Sequence, residues 1–277
     1  MGRKASFQGS SKAFVATTAQ TIVFTPTDIE SAGCVQLMFA LTGAANDIAD
    51  FDRIRVRAGG DVIVDCSVLQ LQAYQQRWSN RFVSNVAGDT AFSIPLNFLD
   101  APRGMNGEPQ DRCQFPPNRE IQVELVTLAT IPAAGTVICG WKQTDVPAEF
   151  FMRYYSSVLN LPASSRNVKY TFAEPGIVRG LTLPTAGIDR AELYVSDRTA
   201  WRLPGAQFGG VTIGDLWSQK DFFEDGASVT AAKHRSVDLG IPAAAGSSYL
   251  VMDTGAAWAG ATNEGAFYAI VPLARKA

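Results

Sequence analysis

The sequence contains two strand-like runs, Gly33-Cys34-Val35-Gln36-Leu37 and Asp52-Arg53-Ile54-Arg55-Val56, and then repeats this pair in outline. The second copy reads Gly176-Ile177-Val178-Arg179-Gly180-Leu181 followed by Asp189-Arg190-Ala191-Glu192-Leu193-Tyr194-Val195. In both copies a polar turn, another strand-like run, a tryptophan-containing stretch and a further strand follow. Two similar units of more than one hundred residues each are too long for a solenoid repeat. The pattern therefore predicts a duplicated β-rich domain.

Short strand-like runs between Gly and Pro turns continue along the whole chain, with Ile121–Val126 and Ala266–Val271 as clear examples. Many short strands with little helical periodicity indicate a sandwich or barrel architecture. Two stretches differ: Val68–Trp78 places Leu71, Tyr74 and Trp78 on one helical face, and Ile213–Lys220 is a shorter counterpart. We therefore predict an all-β chain of two tandem eight-stranded β-sandwiches with short connecting helices.

The join between the two sandwiches is expected near residues 143–147, which gives domains 1–146 and 147–277. An aromatic connector, residues 149–160, opens the second domain and contains four aromatic side chains in its first seven positions. It is too apolar for a loose linker, so we predict a packed segment, helical in one interpretation, that holds the domains at a fixed angle. Its aromatic residues are the candidate interface: Phe150, Phe151, Tyr154 and Tyr155.

A β-hairpin is the clearest local prediction. If Ala58-Gly59-Gly60 forms a three-residue loop, Val56 faces Val62 and apolar side chains meet on one side of the hairpin. Gly60 then adopts the left-handed conformation. A two-residue Gly-Gly loop would instead place Arg57 opposite Val62, so the sequence favours the longer loop.

Charge and cysteine content exclude several classes of function. The 277 residues carry a formal net charge of -2, so no positive field attracts nucleic acid. Four scattered cysteines and a single histidine, His234, offer neither a zinc site nor a redox pair. We expect free thiols made in a reducing cytoplasm, no cofactor, no signal peptide and no membrane-spanning run.

Basic residues at the two ends of the chain are candidates for contact with a membrane or a partner protein. The alternative interpretation is that they are solvated tails. These residues are Arg3, Lys4, Lys12, Arg275 and Lys276.

Aspartates between positions 47 and 65 allow a rival function, because paired carboxylates catalyse glycoside hydrolysis. The same oxygen atoms could hold a hard cation, although the spacing of an EF-hand is missing. The favoured interpretation is that they are turn residues and arginine partners. The members are Asp47, Asp50, Asp52, Asp61 and Asp65.

The second unit resembles a known family. Phe150-Phe151, Leu161-Pro162, Gly187–Asp197 and Thr199-Ala200-Trp201-Arg202 are similar, in this order, to the second jelly roll of corticovirus-type major capsid proteins. That lineage also includes tectivirus capsid proteins and adenovirus hexon, and the resemblance is strongest over residues 149–205. It implies two jelly rolls standing side by side, perpendicular to the capsid surface. Three chains form a pseudo-hexameric ring, and the rings tile an icosahedral shell, usually over an internal membrane.

The resemblance predicts the major capsid protein of a small icosahedral, bacterial virus, made in the host cytoplasm and located in the virion. Its expected partners are two further copies in a homotrimer, neighbouring capsomers, a vertex (penton) protein and an internal viral membrane. The family has no catalytic residue to transfer, so no enzymatic activity is expected. The alternative is a β-sandwich carbohydrate-binding or receptor-binding spike protein.

Overall fold

The structure of the protein is a computed structural model. It describes residues 9–29, 34–42, 46, 50–68, 70–71, 93–97, 120–143, 150–159, 161–172, 177–184, 188–195, 198–203, 234–244, 247–256, 258 and 264–272.

Two compact units divide the chain. One unit comprises Met1–Arg153 with Pro272–Ala277, and the other comprises Tyr154–Val271. The predicted domain boundary after residue 146 stays a prediction.

Eight strands are described in the first part of the chain, and all of their registered pairings are antiparallel. They are β1 (Gly9–Phe14), β2 (Thr21–Phe24), β3 (Cys34–Thr42), β4 (Phe51–Ala58), β5 (Asp61–Ser67), β6 (Ser93–Asn97), β7 (Ile121–Thr127) and β8 (Gly135–Gln143). One sheet has the order β1-β8-β3-β6, and the other contains β2-β7-β4-β5. Strands that are adjacent in a sheet mostly come from distant parts of the chain, in the jelly-roll order.

Alternating burial explains why these strands pack as a sandwich. In β7 every second residue from Ile121 to Thr127 is buried, and Ile54 and Val56 of β4 are fully buried beside them. A side-chain period of two places one apolar row of each strand in the core and the other row outside. Phe24, Phe39 and Phe51 are the largest fully buried side chains described in this core.

The second part of the chain repeats the same topology. Its strands are β9 (Phe150–Val158), β10 (Val168–Thr171), β11 (Ile177–Pro184), β12 (Ile188–Val195), β13 (Arg198–Leu203), β14 (His234–Ala244), β15 (Ser248–Thr254) and β16 (Glu264–Pro272). Its strand orders are β9-β16-β11-β14 and β10-β15-β12-β13. Adding eight to each strand number of the first part gives the same two orders. The predicted all-β fold with two tandem jelly rolls is confirmed. Eight strands per sandwich over the complete chain stays a prediction.

The repeat seen in the sequence has a topological meaning. Its first copy supplies β3, β4, β5 and β6, and its second copy supplies β11, β12, β13 and β14. These strands hold the same four positions in the two jelly rolls.

The aromatic connector is a strand and not a helix. Residues 150–158 form β9, because consecutive aromatic side chains suit an extended backbone better than a helix. Residues 150–153 fall in the first unit, where Arg153 Nη2 donates a 3.2 Å hydrogen bond to the carbonyl of Val62. The remainder of β9 belongs to the second unit.

The predicted three-residue hairpin loop is wrong. Ala58 pairs with Asp61 and Arg57 with Val62, so the loop is Gly59-Gly60, with φ values of 56° and 95°. Both values fit the type I′ turn that matches strand twist. A register shift after Val56 then places Val56 opposite Val64. This bulge restores the pairing of apolar residues that the longer loop was expected to provide.

Only the beginning of the first predicted helix lies among the described residues. The Gln70 N–H donates to Ser67 Oγ (3.1 Å), and the Ser67 N–H donates to Gln70 Oε1 (2.9 Å). These reciprocal bonds form a capping box. Leu71 is buried, whereas Tyr74, Trp78 and the stretch 213–220 lie outside the described residues.

Cys34, Cys66 and Cys139 carry buried thiol groups. Burial is the largest cause that raises the pKa of the Cys139 thiol, and the nearby Cys34 and Asp28 raise it further. A thiol held in its neutral form is a weak nucleophile. Cys113 lies outside the described residues.

Candidate assembly surfaces

The predicted interface aromatics differ in their surroundings. Tyr154 is buried within the chain and Tyr155 is half-buried, whereas the side chains of Phe150 and Phe151 lie outside the described set. Tyr154 therefore contributes to the core, and the use of any of the four residues in an interface stays a prediction.

Lys12 is the one member of the basic ends whose position is described. It lies in β1 and forms a 3.0 Å ion pair with Asp28, which also accepts a hydrogen bond from Ser10 Oγ. The backbone N–H of Thr25 is the main cause that lowers the pKa of Asp28, with Lys12, Ser10 and the Thr25 hydroxyl adding to it and desolvation opposing it. The ammonium of Lys12 thus ties β1 to the turn after β2. Arg3, Lys4, Arg275 and Lys276 lie outside the described residues.

An ion-pair ladder runs across β5, β4 and β7 on the outward side of their sheet. Arg53 and Arg55 both contact Asp65, and the Arg55–Asp65 distance is 3.1 Å. Arg55 and Arg57 both contact Glu124, at 3.5 Å and 3.4 Å. The five side chains are 21–35% exposed, so each pair is worth little by itself. Asp65 is an arginine partner, as the favoured interpretation of the acidic cluster expects.

Asp52 and Asp61, two members of the acidic cluster, do not form a catalytic carboxylate pair. Asp52 lies near the start of β4, whereas Asp61 lies opposite Ala58 at its end. Six residues of strand separate these positions by about 20 Å, and paired catalytic carboxylates lie about 5–9.5 Å apart. Asp47 lies outside the described residues, and over the described ranges no cluster of three metal-ligating side chains occurs.

The equivalent sheet of the second unit carries a different polar cluster. Arg190 lies 3.2 Å from Glu192 and 3.0 Å from Asp253, and the Tyr194 hydroxyl donates a 2.8 Å bond to Glu192. Glu192 is only 2% exposed, so these partners compensate a buried charge. The ring of Tyr194 stacks on Tyr249 with 5.0 Å between centroids.

Lys169 then covers the ring of Tyr249, with its Nζ 3.7 Å from the centroid. Binding of a sugar by stacking needs an open aromatic face. Because Tyr194 and Lys169 flank the ring, Tyr249 does not offer such a platform.

Over three register rows, the outward side of the opposite sheet of the first jelly roll has no ionisable residue, and we call this patch the neutral face. It is formed by alternate residues of β1, β8 and β3 that lie side by side in register. None of its nine positions has an ionisable side chain, and Ile138 at its centre is 37% exposed. The members are Gly9, Ser11, Ala13, Thr136, Ile138, Gly140, Met38, Ala40 and Thr42.

A buried threonine at the end of β7 ties two loops of the first unit together. The Gln20 N–H donates to Thr127 Oγ1 (3.0 Å), this hydroxyl lies 3.2 Å from the Thr18 carbonyl, and the Thr127 N–H donates to the Gln20 carbonyl (2.9 Å). We call this arrangement the threonine clamp.

The second unit contains the same clamp at the end of β15, the strand equivalent to β7. Ser165 N–H donates to Thr254 Oγ1 (3.0 Å), this hydroxyl lies 2.6 Å from the Pro162 carbonyl, and the Thr254 N–H donates to the Ser165 carbonyl (2.8 Å). Thr127 and Thr254 are 1% and 3% exposed. The clamp was not predicted from the sequence.

A buried apolar residue four positions after each threonine completes the clamp. Ile131 donates its N–H to the carbonyl of Leu128, and Trp258 donates its N–H to the carbonyl of Gly255. Both side chains are almost fully buried. The shared pattern Thr-x-Ala-x-apolar, at 127–131 and 254–258, is the signal that could have indicated it.

Searches by sequence find no relative: no protein-family model matches the chain, and no curated protein is similar to it. Solved structures do match. The major capsid protein P2 of bacteriophage PM2 has a TM-score of 0.58 and 10% identity, covering 97% of this chain and 99% of that one. The STIV MCP has a TM-score of 0.62 and 8% identity, with 96% of each chain covered.

A chain of the Sulfolobus Turreted Icosahedral Virus structure matches with a TM-score of 0.60 and 10% identity, covering 97% of this chain and 90% of its own. At such identities the likeness shows the fold. The chain therefore shares the double jelly-roll fold of these viral major capsid proteins.

Proposed function

We propose that this chain is the major capsid protein of a small icosahedral virus and that it assembles as a homotrimer. Six jelly rolls, two from each chain, then form a pseudo-hexameric ring that tiles the shell. The observation that carries the proposal is the pair of jelly rolls with one strand order, matched to the PM2 capsid protein over nearly the full length of both chains.

Closure explains why two fused rolls suit this role. Threefold repetition of a two-roll chain produces a ring with sixfold character and no free end. The virion location, contacts with neighbouring capsomers and a vertex protein belong to the same proposal. The proposal also includes an internal membrane that faces the basic ends of the chain, and it includes no catalytic activity.

Mass measurement and imaging test the proposal together. Size-exclusion chromatography with light scattering should give the mass of three 29.7 kDa chains, and negative-stain images should show rings with a pseudo-sixfold outline. A stable monomer at high protein concentration would contradict it. Saturable binding on a glycan array would instead favour the carbohydrate-binding or receptor-binding spike.

A further inference from the structure

We propose that the neutral face of the first jelly roll packs against a second copy of this chain. The inference rests on the proposed function and adds to it the surface that makes the contact. Its starting point is Ile138, which is exposed at the centre of the face between Ser11 of β1 and Ala40 of β3.

Exposed apolar side chains continue from this face to the adjoining loops. Val15, directly after β1, is 54% exposed, and Leu128, in the loop that leads to β8, is 36% exposed. The Thr17 N–H donates to the Ile131 carbonyl and joins these two loops. Neither loop, 15–20 nor 128–134, contains an ionisable side chain. The neutral face and its loop end therefore form one uncharged surface with three large apolar side chains open to solvent.

Glycine keeps the surface flat and Ile138 uncovered. A Cβ atom at Gly9 would lie 2.8 Å from Ile138 Cγ2, so any side chain there would push against the isoleucine. Flat surfaces of small residues allow close approach of another backbone.

The two outward surfaces of the roll differ in the cost of covering them. Covering the ion-pair ladder would desolvate Arg53, Arg55 and Arg57, whose partners are already within the chain. Covering the neutral face removes only apolar and hydroxyl side chains from water. The central parts of protein interfaces are likewise depleted in charge.

The size of the face indicates which kind of partner it fits. Three strands with five register positions span about 250 Å², whereas a standard interface buries about 800 Å² on each partner. The face is too small to hold an isolated dimer. It fits a contact that is repeated by symmetry, because each copy in a closed ring has two neighbours and every contact supports the others. A second copy is the partner that such symmetry supplies.

The test combines one lysine variant, a matched control and a measurement on the unchanged protein. Ile138→Lys introduces a charge into the face, and we expect at least a tenfold rise in the concentration needed for oligomer formation. Val23→Lys is the control, because Val23 is half-buried in β2 opposite Glu124, and it should assemble like the wild type. Thermal melting of the dissociated variants establishes that both are folded.

Oxidation of Met38 in the wild-type protein measures the solvent exposure of the same face without a substitution. We expect hydroxyl-radical footprinting to modify Met38 at least threefold more slowly in the oligomer than in the dilute, dissociated chain. If Ile138→Lys leaves trimers intact but prevents larger assemblies, the partner is a copy in a neighbouring trimer, which also supports the inference.

Three results would overturn the inference. The first is a wild-type oligomer in which Met38 is modified as fast as in the dissociated chain. The second is Ile138→Lys assembling like Val23→Lys. The third is protection of Met38 by phosphatidylglycerol vesicles but not by oligomer formation. A wild-type protein that stays monomeric at every concentration would contradict the proposed function itself, so the two failures are distinguishable.

Discussion

Replacing the clamp threonines by valine is the sharpest test of how the loops are held within each jelly roll. Thr127→Val removes the hydroxyl that accepts the Gln20 N–H and contacts the Thr18 carbonyl. Thr254→Val removes the corresponding hydroxyl from Ser165 and Pro162. Valine keeps the shape of the side chain but cannot make either bond.

The expected loss follows from the groups that remain. A buried donor left without its partner costs about 1–3 kcal/mol. Because Gln20 and Ser165 are half-buried, water can reach part of each site, and we expect about 1–2 kcal/mol for each variant. For a chain of this size that corresponds to a fall in Tm of about 2–8 °C.

Calorimetry and hydrogen exchange provide the two measurements. Each variant should lower Tm, and amide exchange should rise in loop 15–20 for Thr127→Val and in loop 161–167 for Thr254→Val. Thr21→Val and Thr171→Val are matched controls, because these threonines are exposed on β2 and β10 and take no part in a clamp. If the clamp variants melt within 1 °C of their controls, the clamp does not stabilise the fold as argued.

Three further predictions concern charge and thiol chemistry. The pKa of Asp28 lies below its ordinary value of 3.8, so its contribution to stability is present above that pH and is lost as the pH falls below it. Asp28→Asn should therefore be less stable than the wild type at pH 7 and should lose less stability between pH 4 and pH 2. The free energy of unfolding from urea titrations measures this, and parallel curves of that free energy against pH for the two proteins would contradict the prediction. Because burial raises the pKa of Cys139, this thiol should resist maleimide labelling for hours in the native protein and react fully in urea. Rapid labelling of Cys139 in the native protein, measured by peptide mass spectrometry, would refute this prediction. If Arg3, Lys4, Arg275 and Lys276 face a membrane, their joint replacement by serine should weaken cosedimentation with anionic vesicles at least tenfold, since each contributes about 1 kcal/mol. Lys12→Ser should have a smaller effect, because Asp28 already pairs with Lys12. Equal binding by all variants would exclude this role for the four terminal residues.

Much of the fold could be predicted because its signals are local. The alternation of apolar residues in Ile121–Val126 predicts a strand, and Gly59-Gly60 predicts a turn, from neighbouring residues alone. The repeat of two strand pairs predicted two similar units, and it mapped onto equivalent strands of the two rolls. The hairpin shows the limit of such reasoning, because a bulge changed the register in a way that loop length does not report.

By itself, the sequence determined that the chain is all-β, that it contains two related units and that its charge and histidine content do not suit several kinds of chemistry. Only the tertiary structure decided which strands are neighbours, and with them the ladder, the clamps and the neutral face. The physical reason is distance along the chain: Gln20 and Thr127 are separated by 107 residues, yet one hydrogen bond joins them. The neutral face likewise exists only because β1, β3 and β8 pair side by side, which places small residues from three distant segments on one surface.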